Sequence, residues 1–233
     1  MSDRDMKSNL DRVLSILLVV AALAMAASLV RREFGAPKAP VEAKTSPPIY
    51  LEGWRQLVRR GVEVGPATSD VKILTFNDLE CPGCRQFHQA VLTDILSTFT
   101  GKVSQVFIHF PLSYHRFATQ AAVAAQCADR QGAFGPFVDL VFAQQDSIGL
   151  KPWAQFAIAS GTKDTVQFGK CTQDPSVLEL VKAGRALADS LDLRKTPTVI
   201  VNGWLFSDPP SGKELARVIA HFIAGREPFS ERK

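Results

Sequence analysis

Cysteine is scarce in this sequence, four residues in 233. That excludes a disulfide-dense miniprotein and leaves a redox pair, a structural bridge or a metal site. A second C-x-x-C is missing, and Cys127 and Cys171, 44 apart, do not have the spacing of a second ligand pair, which argues against zinc, because a structural zinc centre needs four grouped ligands. Charge of one sign is lacking too. The net charge is only +4 and no basic block of five or more occurs, so nothing points to nucleic acid as a partner. No internal repeat is present. What the chain does have is apolar content: 46% hydrophobic against 21% charged residues supports a real core and excludes disorder as the dominant state.

The apolar content is uneven. Residues 13–30 run without a charge, closed by Arg12 on one side and by Arg31 and Arg32 on the other. A helix of that length reaches ~27 Å, close to the hydrocarbon thickness of a bilayer. We expect one transmembrane signal anchor over 13–30, preceded by a cytoplasmic tail, 1–12. A cleaved signal peptide with Ala24-Met25-Ala26 at the cleavage site is the alternative. The flanking charges nearly balance, so they do not orient the span. Residues 31–50 follow as a tether, with Pro37, Pro40, Pro47 and Pro48 stiffening it.

From residue 51 to 233 the pattern is that of an α/β domain. A short helix is expected over 51–60. VKILTF (71–76) reads as a strand, 82–96 as a helix with Phe87, Ala90, Val91 and Ile95 on one face, and VSQVFIHF (103–110) as a strand stopped by Pro111. A helical insert, about 113–172, comes next, with helices expected over 114–131, 136–145, 152–160 and 164–170. Asp174-Pro175 marks an N-cap and first helical position for a helix running to about 191. TVIV (198–201), the turn signal Asn202-Gly203 and 204–206 form a hairpin. A helix opened by the capping box Ser211 and Glu214 closes the domain.

Chemistry concentrates at Cys81-Pro82-Gly83-Cys84, after a strand and at the opening of a helix. Two cysteines three apart on a first helical turn can close a disulfide with little backbone movement. The first, Cys81, meets unpaired backbone N–H groups and the positive dipole end, which favour its thiolate. Cys84, one turn in and shielded, suits the resolving role. Pro82 lacks an N–H where none is needed. No metal and no separate cofactor is implied; the redox-active disulfide Cys81–Cys84 serves instead.

These features together make the chain similar to the DsbA-like branch of thioredoxin-fold proteins, the extracytoplasmic thiol–disulfide oxidoreductases. The resemblance covers about residues 70–225. It rests on Phe76-Asn77-Asp78-Leu79-Glu80-Cys81-Pro82-Gly83-Cys84, on Phe110-Pro111-Leu112 with His115, and on 121–127 before Gln131-Gly132. Thr196-Pro197-Thr198 leading to Val201-Asn202-Gly203 completes it. It implies a thioredoxin-like α/β fold with a helical insertion. It also implies that Pro197 is cis and lies across from the redox pair, so that the Thr196 backbone pairs with an extended substrate. The family's strongest oxidants carry histidine where Gly83 stands. Together with the nearby carboxylates of Asp78 and Glu80, this predicts less thiolate stabilisation and a less oxidising pair. The buried acid that related proteins place six residues before the first cysteine falls here on Thr75, which leaves Asp78 or Glu80, acting through water, as candidate acid/base groups.

Cys127 and Cys171 are expected to form a non-catalytic bridge across the insert, with two free buried cysteines as the alternative. Among the histidines, His88 is expected to be a partly exposed helix residue and His115 a capping or packing residue. Phe76, Phe87 and Trp153 are expected in the core. Both cysteine pairs call for an oxidising compartment. The expected protein is therefore anchored in the inner membrane with a periplasmic body, exchanging disulfides with cysteine-containing exported proteins and reset by a membrane or periplasmic redox partner. A tethered binding or chaperone module without turnover, and a reductase dedicated to one client, are the alternatives.

Overall fold

The computed structural model describes residues 14–28 and 46–229. Residues 14–28 form a helix, α1, within the first of two compact units, 1–44. Its side chains, Leu14, Ile16, Leu17 and Leu18 among them, are exposed. Among the described residues no helix is long and apolar enough to cross a membrane. The ends of the expected span (13, 29 and 30), the expected tail (1–12) and residues 31–45 of the expected tether lie outside the described residues.

The second unit, 45–233, is the α/β domain. It opens with β1 (Ile49–Tyr50), α2 (Arg55–Val58), β2 (Val62–Val64) and β3 (Val71–Asn77). Helix α3 (Pro82–Phe87) passes through one π-helical segment, His88–Leu92, into α4 (Thr93–Thr98) and then β4 (Val103–His109). The insert holds α5 (Ala118–Asp129), α6 (Phe134–Ala143), α7 (Trp153–Ala159) and α8 (Thr165–Cys171). It is followed by α9 (Pro175–Ser190), β5 (Thr198–Val201), β6 (Trp204–Leu205) and α10 (Gly212–Ile223). The six strands lie in the order β1-β6-β5-β3-β4-β2. Only β3 and β4, joined through α3 and α4, run parallel; the other pairs are antiparallel.

Burial explains the strand sequences. All seven residues of β4 and six of the seven in β3 are buried, as expected for central strands covered on both faces. One face packs against the insert, where Phe107, Phe137, Phe142 and Phe156 join the small residues Ala121, Ala124, Ala125 and Ala128 of α5. Those alanines let neighbouring helices approach closely. A second cluster gathers Ile73, Phe87, Val199, Trp204 and Leu215 under α10, and a third holds Leu74, Phe76, Ile108 and Ile200 with Trp54. The caps form as the sequence indicates. The Asp174 carboxylate accepts from the Ser176 N–H at 2.9 Å, and the Ser211 hydroxyl accepts from the Glu214 N–H at 3.2 Å. The hairpin turn has φ of 44° at Asn202 and 96° at Gly203. A Cβ at Gly203 would meet the Trp54 and Tyr50 rings at 2.5 and 2.7 Å, so glycine is required twice over.

Three expectations change. Residues 49 and 50, assigned to the tether, are strand β1 on the sheet edge, because Ile49 and Tyr50 pair with Leu205 and Trp204. Strand β2 is too short, and its alternation too brief, to stand out in the sequence; it exists because Val62 to Val64 pair with β4. The helix expected over 51–60 shrinks to Arg55–Val58. The Leu51 N–H is taken by the Gly203 carbonyl and Gly53 adopts φ 71°.

Candidate functional site

The site lies where β3 hands over to α3. Cys81 is the N-cap of α3 in extended conformation, with Pro82 at the first helical position. Its carbonyl accepts the first helical bond from the Arg85 N–H at 3.1 Å. Cys81 keeps 8% of its surface exposed and Cys84 none, and both are free thiols. The Thr196 carbonyl lies 3.4 Å from Cys81 Sγ and accepts from its thiol. The Thr196-Pro197 peptide bond is cis. A Cβ placed on Gly83 would lie 3.6 Å from Pro197 Cδ and 3.7 Å from Cys81 Sγ, so this loop sits directly against the redox motif.

The electrostatics separate the two sulfurs. The Cys81 thiol is lowered to about 5, first by the hydrogen bond from the Cys84 side chain. The Thr196 side chain and the backbone N–H groups of Cys84 and Gly83 add to this, against burial, which opposes it. Burial raises Cys84 well above the ordinary thiol range. The Asp78 N–H lies 3.4 Å from Cys84 Sγ. The arrangement offers one nucleophilic sulfur at the surface at neutral pH and one protonated sulfur behind it.

This corrects one ground for expecting weaker thiolate stabilisation than in the strongest oxidants, the two nearby carboxylates. The carboxylates of Asp78 and Glu80 are occupied elsewhere. Asp78 Oδ1 accepts from the Glu80 N–H, and Oδ2 accepts from the Leu112 N–H and meets His115 Nδ1, each at 2.8 Å. Glu80 Oε2 accepts from the Phe117 N–H at 2.6 Å. Neither contributes to the Cys81 shift. The same bonds explain why α5 begins at Ala118 and not at 114. Leu112 and Phe117 give their N–H groups, and His115 its ring, to the loop before Cys81 in place of a helical turn. At the Thr75 position the structure holds a neutral network: the hydroxyl accepts from Gln105 Nε2 at 2.8 Å and from Asn77 Nδ2 at 2.6 Å.

The second pair is bonded. Cys127 of α5 and Cys171, the last residue of α8, form a disulfide with Cα atoms 5.7 Å apart. His88 is not the partly exposed residue expected. It is 8% exposed, its Nε2 lies 2.7 Å from the Asp139 carboxylate, and its ring stands against Phe142, so it joins the π segment to α6. Phe76 and Phe87 are core residues, and Trp153 packs against the insert's core cluster. One contributor went unread in the sequence: Gln145, in the turn after α6, whose amide donates to the carbonyls of Leu79 and Cys81. A lone glutamine in a polar stretch carries no signal without the fold. Among the described residues no group of three or more His, Cys, Asp or Glu could hold a metal ion.

Residues 58–221 match the family model described as Thioredoxin. Among curated relatives, the chain is 31% identical over 186 residues to a Na(+)/H(+) antiporter NhaA 1 of Mycolicibacterium gilvum, covering 78% of this chain and 29% of that protein. It is 33% identical over 179 residues to an NhaA 1 of Salinispora arenicola, covering 72% and 27%. The chain thus spans less than a third of the length of these relatives. Among solved structures, oxidised BdbD from Bacillus subtilis aligns with a TM-score of 0.64 at 19% identity, over 78% of this chain and 98% of that one. Wolbachia pipientis alpha-DsbA1 aligns with a TM-score of 0.61 at 22% identity, over 70% and 90%. Pseudomonas aeruginosa DsbA2 gives 0.57 at 24%, over 70% and 93%. The fold is DsbA-like.

Proposed function

We propose that this chain, which belongs to the thioredoxin family, is a thiol–disulfide oxidoreductase that exchanges disulfides with cysteine-containing exported proteins through Cys81 and Cys84. The observation that carries the reading is the contrast within the motif, an acidified Cys81 thiol in front of a fully buried, protonated Cys84. In the reducing direction, the Cys81 thiolate attacks one sulfur of a client disulfide. The client S–S bond breaks, a mixed disulfide forms, and the departing client sulfur takes up a proton. Cys84 then loses its proton and attacks Cys81 Sγ, releasing the second client thiol. The client is reduced and the Cys81–Cys84 pair is oxidised; the reverse sequence donates a disulfide. The Thr196 carbonyl beside Cys81 Sγ offers a backbone acceptor for an extended client segment.

Supporting the extracytoplasmic placement are the uncharged run 13–30, the exposed apolar side chains of α1 and the Cys127–Cys171 disulfide. In this reading the run anchors the body to the inner membrane, and a membrane or periplasmic partner resets the redox pair. The antiporter names belong to proteins of which this chain covers under a third, so ion transport is no part of the reading.

The test is the reduction potential of the Cys81–Cys84 pair in the full chain, by glutathione titration with thiol trapping, Cys127 and Cys171 being followed separately. Reactive thiols of such motifs run from ~3.5 in a strong oxidant to ~7 in thioredoxin. With Cys81 at about 5, the potential is expected between about −120 and −270 mV. A pair that does not equilibrate with glutathione at all overturns the reading.

A further inference from the structure

Gln145 sits in the short 3-10 turn, Gln145–Ser147, that follows α6 in the insert. Its side chain is buried and reaches out of the insert into the loop that precedes α3. There Nε2 donates to the Leu79 carbonyl at 2.8 Å and to the Cys81 carbonyl at 3.0 Å. A carboxamide nitrogen has two N–H groups, and both are directed at carbonyls two residues apart. Those carbonyls fix the peptide planes on either side of the Glu80–Cys81 step. The next residues along the chain, Gly83 and Cys84, supply the N–H groups that stabilise the Cys81 sulfur. A second link joins the same turn to α3, the ion pair of Asp146 with Arg85 at 3.2 Å, but this one is solvent-exposed.

We propose that Gln145 is a positioning residue for Cys81: by clamping the Leu79 and Cys81 carbonyls it holds the turn that presents Cys81 Sγ at the N-terminus of α3, beside the Thr196 carbonyl. The inference rests on the oxidoreductase reading and deepens it. A generic tie between insert and body would be served by one bond to any group. Here both donors of a buried amide are spent on the two carbonyls that frame the nucleophile's own turn. Without them the Leu79 and Cys81 carbonyls lose their tie to the insert, which leaves the turn to its own bonds, from the Cys81 N–H to the Asp78 carbonyl and from the Arg85 N–H to the Cys81 carbonyl.

The experiment uses the full chain with Cys81 and Cys84 reduced and the Cys127–Cys171 bond intact, in four forms: unmodified, Gln145→Leu, Gln145→Glu and Ser104→Ala. Leucine removes both donors at similar size. An ionised glutamate keeps the shape, offers no donor and adds negative charge. Ser104, at the other end of the β3/β4 pair, loses its bonds with Ser69 and Glu63 and serves as the stability control. Thiolate absorbance against pH, and the rate with oxidised glutathione across the same range, are measured beside the denaturation midpoint. The unmodified chain is expected to titrate near 5. Gln145→Leu should raise the midpoint by about one unit, leaving about tenfold less thiolate and, because the more basic sulfur is about threefold more nucleophilic, about threefold slower reaction below the transition, and Gln145→Glu should raise it at least as far. Ser104→Ala should lower stability and leave the thiol profile in place. Gln145 variants that lose stability but keep the unmodified pH profile overturn the proposal, as does collapse of both, since a clamp specific to Cys81 leaves the fold standing. An unmodified chain titrating at the ordinary thiol value near 9 overturns the oxidoreductase reading instead, and the clamp with it.

Discussion

The two cysteine pairs share one core cluster, yet only one is bonded. Burial does not separate them, since Cys81 and Cys84 are 8% and 0% exposed, and Cys127 and Cys171 are 0% and 7%. Position on the helix does. Cys81 caps the N-terminus of α3, where free N–H groups and the positive dipole end favour a thiolate. Cys127 lies in the last turn of α5 and Cys171 is the last residue of α8, where unpaired carbonyls disfavour one. The same side chain in the same apolar surroundings is a nucleophile in one place and a staple in the other. The Cys84 thiol behind Cys81, with the helix N-terminus adding to it, and not the depth of burial, marks out the nucleophile.

The comparison breaks most completely at Cys81. Cys81→Ala should abolish disulfide exchange with a model client peptide, whereas Cys84→Ala should stall it as a mixed disulfide visible on a non-reducing gel. Turnover by Cys81→Ala at the unmodified rate would erase the distinction. The staple should fail differently. Its 44-residue separation makes the double variant Cys127→Ala/Cys171→Ala less stable by up to roughly 3–4 kcal/mol in denaturant unfolding. Its Cys81 titration should stay in place. A Cys81 midpoint that moves with loss of the bridge would show the two pairs to be coupled through the core.

The two pairs also differ in how far the sequence revealed them. Cys81-Pro82-Gly83-Cys84 was legible because helix position, spacing and cap chemistry are local. Strands β3 and β4, the hairpin at Asn202-Gly203 and the caps at Asp174 and Ser211 were legible for the same reason. The environment of the sulfur was not. Asp78 and Glu80 stand close to Cys81 along the chain, but their carboxylates are captured by residues 112, 115 and 117, more than thirty positions away. Gln145 acts from sixty-four residues downstream of Cys81. His88 is buried by α6, not by its own helix. Strands β1 and β2 were missed because two- and three-residue strands are defined by their partners. What a residue is can be read locally; what a carboxylate or amide faces is settled by the packing of the insert.

A gentler test varies pH at fixed sequence. Cys81 is held at about 5 in the folded chain against 9 for an unperturbed thiol, so the folded state keeps a thiolate where the unfolded chain carries a proton. The unfolded state binds more protons between those values, and stability therefore rises with pH through the window. The contribution is fully present above pH 9 and is lost as pH falls through 5. Relative to Cys81→Ala, the reduced protein should gain up to about 2.7 kcal/mol between pH 5 and pH 7, one proton at about 1.36 kcal/mol per unit. Urea unfolding of both chains at a series of pH values measures the difference. A flat difference would mean that Cys81 is not acidified in the folded state. The bonded pair does not titrate, so Cys127→Ala/Cys171→Ala should show no such slope relative to the unmodified chain.

The smallest expected change sharpens the comparison by altering the nucleophile's surroundings and nothing else. Gly83 is exposed and has ordinary van der Waals room for a Cβ, with its nearest neighbours at 3.6–3.7 Å, so the backbone there accepts a side chain. A histidine there brings a cationic imidazolium beside the Cys81 thiolate, which lowers the thiol further and stabilises the reduced form. A shift of about one pKa unit corresponds to roughly 1.4 kcal/mol and raises the two-electron potential by about 30 mV. Glutathione titration of Gly83→His against the unmodified chain reads this directly. The bridge between α5 and α8, remote from the imidazole along the chain, should keep its own resistance to reduction. A potential that stays put would mean that the Cys84 side chain and the helix N–H groups already saturate the Cys81 sulfur, leaving no acceptor site for another donor.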